Sequence, residues 1–145
     1  MRFPTFLSLA LVSILLAAQS AGSARAADLI VAIDISDQEM TVTYLGREIH
    51  YWPVSTARPG YRTPTGTFQP YRIERMWYST IYDNAPMPYS IFFLRGYAIH
   101  GTTDIRNLGK PASHGCVRLN PDNAKALYEL VRSVGKESTE IVIRP

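Results

Sequence analysis

Hydrophobic and polar positions alternate in short runs along most of the chain. Leu29 to Ile35 is apolar and rich in β-branched residues, Ser36-Asp37-Gln38 reads as a turn, and Met40 to Leu45 is again β-rich. Gly46-Arg47 turns the chain into a third run, Glu48 to Ser55, so the first part of the domain predicts a three-stranded meander. Residues 56–70 hold Pro59-Gly60, Pro64 and Gly66 and read as loop with a brief extended exit. Residues 67–73 predict one further strand, which Pro70 demotes to an edge or a bulge. Met76 to Ser90 is aromatic, and Pro86 and Pro88 exclude regular helix there, so it reads as loop. Ile91 to Leu94 and Tyr97 to His100 predict a hairpin around Arg95-Gly96, followed by a polar connection over residues 102–112 and an extended or turning segment over 116–119.

Helical spacing occurs once in this pattern. Ala124, Leu127, Leu130, Val131 and Val134 form an apolar stripe. Asn120 is placed to cap its start with Pro121 at the first helical position, and Gly135 to end it. Residues 140–143 predict a closing strand. The expected fold is mainly β, sandwich-like mixed sheets with one main α-helix near the C-terminus.

The N-terminus departs from this pattern. Arg2 precedes an apolar run from Phe6 to Ala18 broken only by Ser8 and Ser13, and Ala24-Arg25-Ala26 fits a small-residue cleavage site. The run falls short of the roughly 20 apolar residues of a spanning helix. Residues 1–26 therefore read as a cleaved signal peptide and 27–145 as one exported domain with no membrane span. Removing Arg2 and Arg25 leaves 13 basic against 12 acidic residues, a net charge of +1, which gives no support to a nucleic-acid partner. The single cysteine excludes an intrachain disulfide framework and any multi-Cys zinc site.

That cysteine is also the most informative residue. A free Cys is commonly a buried small apolar side chain, but Cys116 follows His114 by two positions, which an extended segment places on one face. His100 lies 16 residues upstream of His114's neighbour Cys116, at the end of a predicted strand. A sulfur nucleophile needs a base or cation to raise its thiolate fraction. Gly115 permits backbone conformations closed to other residues and could aim the amides of Gly115 and Cys116 at a developing oxyanion.

His100-Gly101, eleven residues, then Ser113-His114-Gly115-Cys116-Val117-Arg118-Leu119 resembles the active-site signature of the L,D-transpeptidases, the YkuD-type catalytic domain. Thr63-Pro64-Thr65-Gly66-Thr67-Phe68 and Met87-Pro88-Tyr89 are similar to two further segments of that family, and the likeness runs from about Leu29 to Ile143. Arg118 stands where the family often has Asn, and the gap after the first His is short. The resemblance implies a periplasmic or cell-wall enzyme acting on peptidoglycan stem peptides without metal or cofactor. In it Cys116 is the nucleophile, attacking a tetrapeptide donor and expelling its terminal D-Ala to give a thioester that an amine acceptor resolves. It implies that His100 carries the proton, with the Gly101 carbonyl orienting its ring. His114 and Gly115 lie around the oxyanion, Arg118 binds a substrate carboxylate, and Ser113 gives local support. The acceptor could be a second stem peptide, an outer-membrane protein or a D-amino acid.

Rival readings follow from the same residues. Water as acceptor would give an L,D-carboxypeptidase or amidase, and the fold without the activity would give a wall-binding module. His100, His114 and Cys116 also offer zinc-ligand types, which the acyl-transfer signature explains without metal. Residues 76–90 are either a lid over the site or ordinary aromatic packing. His50, Asp34 and Asp37 read as structural, and Asp104 and Arg106 as a solvated loop that could touch substrate.

Overall fold

A computed structural model describes residues 26–145; all of the leader assigned to residues 1–26 except Ala26 lies outside them. Among the described residues, nine strands form two mixed sheets. The first has the order β3-β2-β1-β9-β4 and the second β5-β6-β7-β8. β1 (Leu29–Asp34), β2 (Glu39–Tyr44) and β3 (Arg47–Pro53) make the antiparallel meander read from the sequence. Leu29, Val31, Ile33, Met40 and Val42 alternate into the core. The turn between β1 and β2 closes on Asp34 Oδ1, which accepts from Ser36 Oγ (2.7 Å) and Asp37 N (3.0 Å).

The closing strand β9 (Thr139–Arg144) runs parallel to β1, and β4 (Gly66–Phe68) pairs on its far side. The single strand expected over residues 67–73 is two. The ladder ends at Phe68, and β5 (Arg72–Tyr78) begins in the other sheet. Pro70 lies between them; it has no N–H to continue a ladder, and the chain changes sheet there.

The segment 76–90 differs more from its sequence reading. β5 continues to Tyr78 and β6 (Pro86–Leu94) starts at Pro86, so only residues 79–85 are a connection. Pro86 pairs with Tyr78 and Pro88 with Met76. Both prolines are tolerated because β7 (Tyr97–Gly101) reaches β6 only from Ile91 onward, so residues 86–90 have a strand neighbour on one side alone. β8 (Val117–Leu119) then runs parallel to β7.

Helix α1 (Pro121–Val134) starts as the sequence predicts: Asn120 Oδ1 accepts from Asp122 N at 2.9 Å, and Pro121 opens the first turn. It ends at Gly135, whose φ is +100° and whose N–H donates to Val131 O. Ala124, Leu127, Tyr128 and Val131 are buried, while Leu130 and Val134 pack at the margin. Among the described residues no helix is long and apolar enough to cross a membrane.

The core lies between the sheets and takes in α1. From the second sheet it receives Ile91, Phe93, Ile99, Val117 and Leu119. Strand alternation sends Phe92 and Ala98 to the opposite face. There they form a smaller apolar cluster with Met87, and Trp77 and Cys116 pack against it. The outer face of β6-β7-β8 is the floor of a cleft.

Candidate active site

The parallel pairing of β7 and β8 aligns Ile99 with Val117 and His100 with Arg118. Ile99, Val117 and Leu119 face the core, so His100, Cys116 and Arg118 share the other face and line one cleft of about 570 Å³. Ser113 and His114 line it from the turn before β8; Ser79, Tyr82 and Met87 line it from β6 and the 79–85 connection. Gly101 and Gly115 do not line the cleft but shape the backbone beside it.

His100 is buried, and its Nδ1–H donates to Gly101 O at 2.8 Å. The carbonyl can only accept, so the neutral ring has its proton on Nδ1 and its lone pair on Nε2. Burial lowers its pKa to about 4; the Gly101 contact opposes this and the charge of Arg118 adds to it. Gly101 is fixed as glycine by crowding: a Cβ there would lie 3.0 Å from Pro88 Cγ and 3.1 Å from Pro121 Cα.

Cys116 is half-buried on the Met87–Phe92–Ala98 cluster, and its thiol lies 3.9 Å from Gly96 O. Burial raises its pKa, opposed by the Ala98 amide and by Arg118. Burial thus favours the neutral form of both groups, the thiol and the imidazole.

The turn 113–116 is tied from within and from outside. Ser113 is buried; its Oγ donates to Cys116 O (2.6 Å) and accepts from Gly115 N (3.0 Å). Of the two amides expected to face an oxyanion, that of Gly115 is thus taken up within the turn. Gly115 has φ +132°, and a Cβ on it would fall 2.6 Å from Tyr97 Cε1 and 2.9 Å from Arg62 O. Thr63 Oγ1 donates to Gly115 O (2.9 Å) and accepts from Ala57 N (3.0 Å), so the Thr63–Phe68 segment supports the turn. Segment 55–58 completes the frame. Ser55 and Arg118 exchange backbone hydrogen bonds of 3.0 and 2.9 Å, and Arg58 N donates to Ser113 O at 2.9 Å.

His114 is held by side chains. Arg58 Nη2 lies 2.9 Å from its Nε2, Tyr82 stacks on its face at 4.2 Å, and Tyr61 meets its edge at 4.7 Å. Partial burial and the charges of Arg58 and Arg118 lower its pKa. Arg118 contacts Ala112 O (3.4 Å) and Asp104 (3.9 Å), whose carboxylate is itself held by Asn107. Asp104 lines the cleft.

Arg58, Tyr61, Thr63 and Tyr82 are neighbours of the cleft residues that sequence reading did not single out. Thr63 carried a signal as the first residue of a quoted segment, and Tyr82 as part of the aromatic stretch 76–90. Outside the cleft, His50 stacks on Trp52 at 4.4 Å. Among the described residues no group of three or more His, Cys, Asp or Glu is placed to hold a metal ion.

Comparisons with known proteins agree with this geometry. The YkuD family, described as the L,D-transpeptidase catalytic domain, matches residues 28–143. The putative L,D-transpeptidase YkuD of Bacillus subtilis is 28% identical over 105 residues, covering 70% of this chain and 59% of the relative. A crystal structure of an L,D-transpeptidase from Stackebrandtia nassauensis superimposes with a TM-score of 0.72 at 27% identity, over 88% of this chain and 62% of that one. The fold is also that of the L,D-transpeptidase LdtMt1, solved in complex with imipenem (TM-score 0.72, 24% identity, 81% of this chain and 59% of that one). The chain thus spans about three fifths of the length of each. With the family match covering nearly every described residue, this chain belongs to the YkuD family of L,D-transpeptidase catalytic domains.

Proposed function

We propose that the protein is an exported cysteine L,D-transpeptidase, working in the periplasm or cell wall on peptidoglycan stem peptides. The observation that carries this reading is the shared face of β7 and β8. It puts the Cys116 thiol in one cleft with a neutral imidazole whose Nδ1–H is already bound to Gly101 O.

In the proposed reaction, Nε2 of His100 takes the thiol proton as sulfur attacks the carbonyl before the terminal D-Ala of a tetrapeptide. Burial disfavours a free thiolate, and in this proposal the proton leaves as the C–S bond forms. The Cys116 amide takes the developing oxyanion charge. The C–N bond breaks, His100 returns the proton to the D-Ala amine, and a thioester remains. An acceptor amine then attacks the thioester, giving up its proton through His100 and releasing the thiol. Arg118 offers a planar fork to a substrate carboxylate.

Intact-protein mass spectrometry with imipenem tests the nucleophile. One covalent adduct is expected on the wild type and none on Cys116→Ala. A folded wild type without adduct, or an equal adduct on the variant, would overturn the reading. Digestion of disaccharide-tetrapeptide then identifies the acceptor: crosslinked dimers for a stem peptide, an exchanged terminus for a D-amino acid, and tripeptide alone for water. Coupling to an outer-membrane protein is read with that protein added.

A further inference from the structure

The two cleft histidines have the same tautomer but opposite remaining polarity. Arginine has N–H donors and no acceptor, so the contact of 2.9 Å between Arg58 Nη2 and His114 Nε2 requires a lone pair on Nε2. The neutral ring then carries its proton on Nδ1. Among the described residues Nδ1 of His114 has no hydrogen-bond partner, and the ring lines the cleft. His100 has the reverse arrangement, with Nδ1–H occupied by Gly101 O and Nε2 left as an acceptor.

We infer that Arg58 is a positioning residue for acyl transfer, fixing His114 as a hydrogen-bond donor in the cleft and removing it from service as a second base. This rests on the acyl-transfer reading above. Arg58 is built for the task at both ends. Its backbone N–H donates to Ser113 O, next to His114, and its guanidinium lies 5.0 Å over the Tyr61 ring, which itself meets the imidazole edge. Tyr82 covers the ring face and resists rotation. Partial burial first, and then the charges of Arg58 and Arg118, lower the pKa of His114 and favour the neutral ring. A donor of this kind serves the negative charge that develops on the substrate carbonyl oxygen.

Long-range 1H–15N correlation spectra of the 15N-histidine-labelled protein at neutral pH test the tautomer. His114 is expected with Nδ1 protonated and Nε2 bare in the wild type, and with the proton moved to Nε2 in Arg58→Met, while the His100 signals stay fixed. Acylation by imipenem is expected to slow about tenfold or more in Arg58→Met and to be largely kept in Arg58→Lys, which still donates. His114→Asn, whose amide N–H reaches the place of Nδ1, is expected to acylate faster than His114→Ala; it needs no Arg58 variant to fold. An Nε2–H tautomer in the wild type, unchanged acylation in Arg58→Met, or His114→Asn no faster than His114→Ala would each overturn the inference. Failure of the acyl-transfer reading itself would show separately, as an adduct that survives Cys116→Ala.

Discussion

His100 stands on β7, inside a strand ladder, and its ring is oriented by the carbonyl of the very next residue. His114 stands on a turn, and its ring is oriented by Arg58, 56 residues away in sequence, with Tyr61 and Tyr82 around it. The first environment is dry and local. Its partner cannot be lost by changing any one side chain, because it is backbone. The second is partly solvated and assembled from three separate segments, so single substitutions can retune it. One sheet face and one turn thus give a single cleft two imidazoles of different character. Burial makes one a proton acceptor with a fixed axis; side-chain donors make the other a polar support.

The sharpest way to break this contrast is to replace His100, the proposed base. His100→Gln is expected to slow acylation by imipenem by a hundredfold or more, measured by mass spectrometry against time. Its circular dichroism should match the wild type.

Next in size is the pH dependence of stability. The folded pKa of His100 is about 4, against an ordinary value of 6.5. Between these values the unfolded chain binds the extra proton, so the stability held above pH 6.5 falls as pH drops toward 4 and levels off below. The loss is about 3 kcal/mol. Urea unfolding across that window should show it in the wild type and not in His100→Gln. A similar loss in both would place the titration elsewhere.

On the turn side, Gly115→Ala is expected to cost about 2 kcal/mol, because its φ is strained for an L side chain and the new methyl meets Tyr97 and the Arg62 carbonyl. Denaturant midpoints would measure it. An unshifted midpoint would mean the turn yields freely and does not hold Cys116 in place.

Legibility differed between the same two regions. The meander, the capped helix and the strand carrying His100 were readable because their signals are local: period-two burial in β1 and β2, Asn120-Pro121 at one helix end and Gly135 at the other. That Cys116 and the two histidines belong together was readable as a signature string, and the structure places all three in one cleft. Residues 76–90 misled, because two prolines argued against regular structure; only the sheet shows that β6 lacks a second neighbour there. The break at Pro70 was marked, but a change of sheet is not written in any window of sequence. Arg58 gave no sign at all, since its partner is brought close by the bridge between Ala57 and Ser113.

The sequence by itself determined the local conformations, the reactive groups and their alternation along each strand, since these depend on neighbours within a few residues. The tertiary structure decided which strands lie side by side, which imidazole is dry, and which nitrogen of each ring remains available. Those properties arise from burial and from contacts between distant segments, and they come into being only when the two sheets close on their common core.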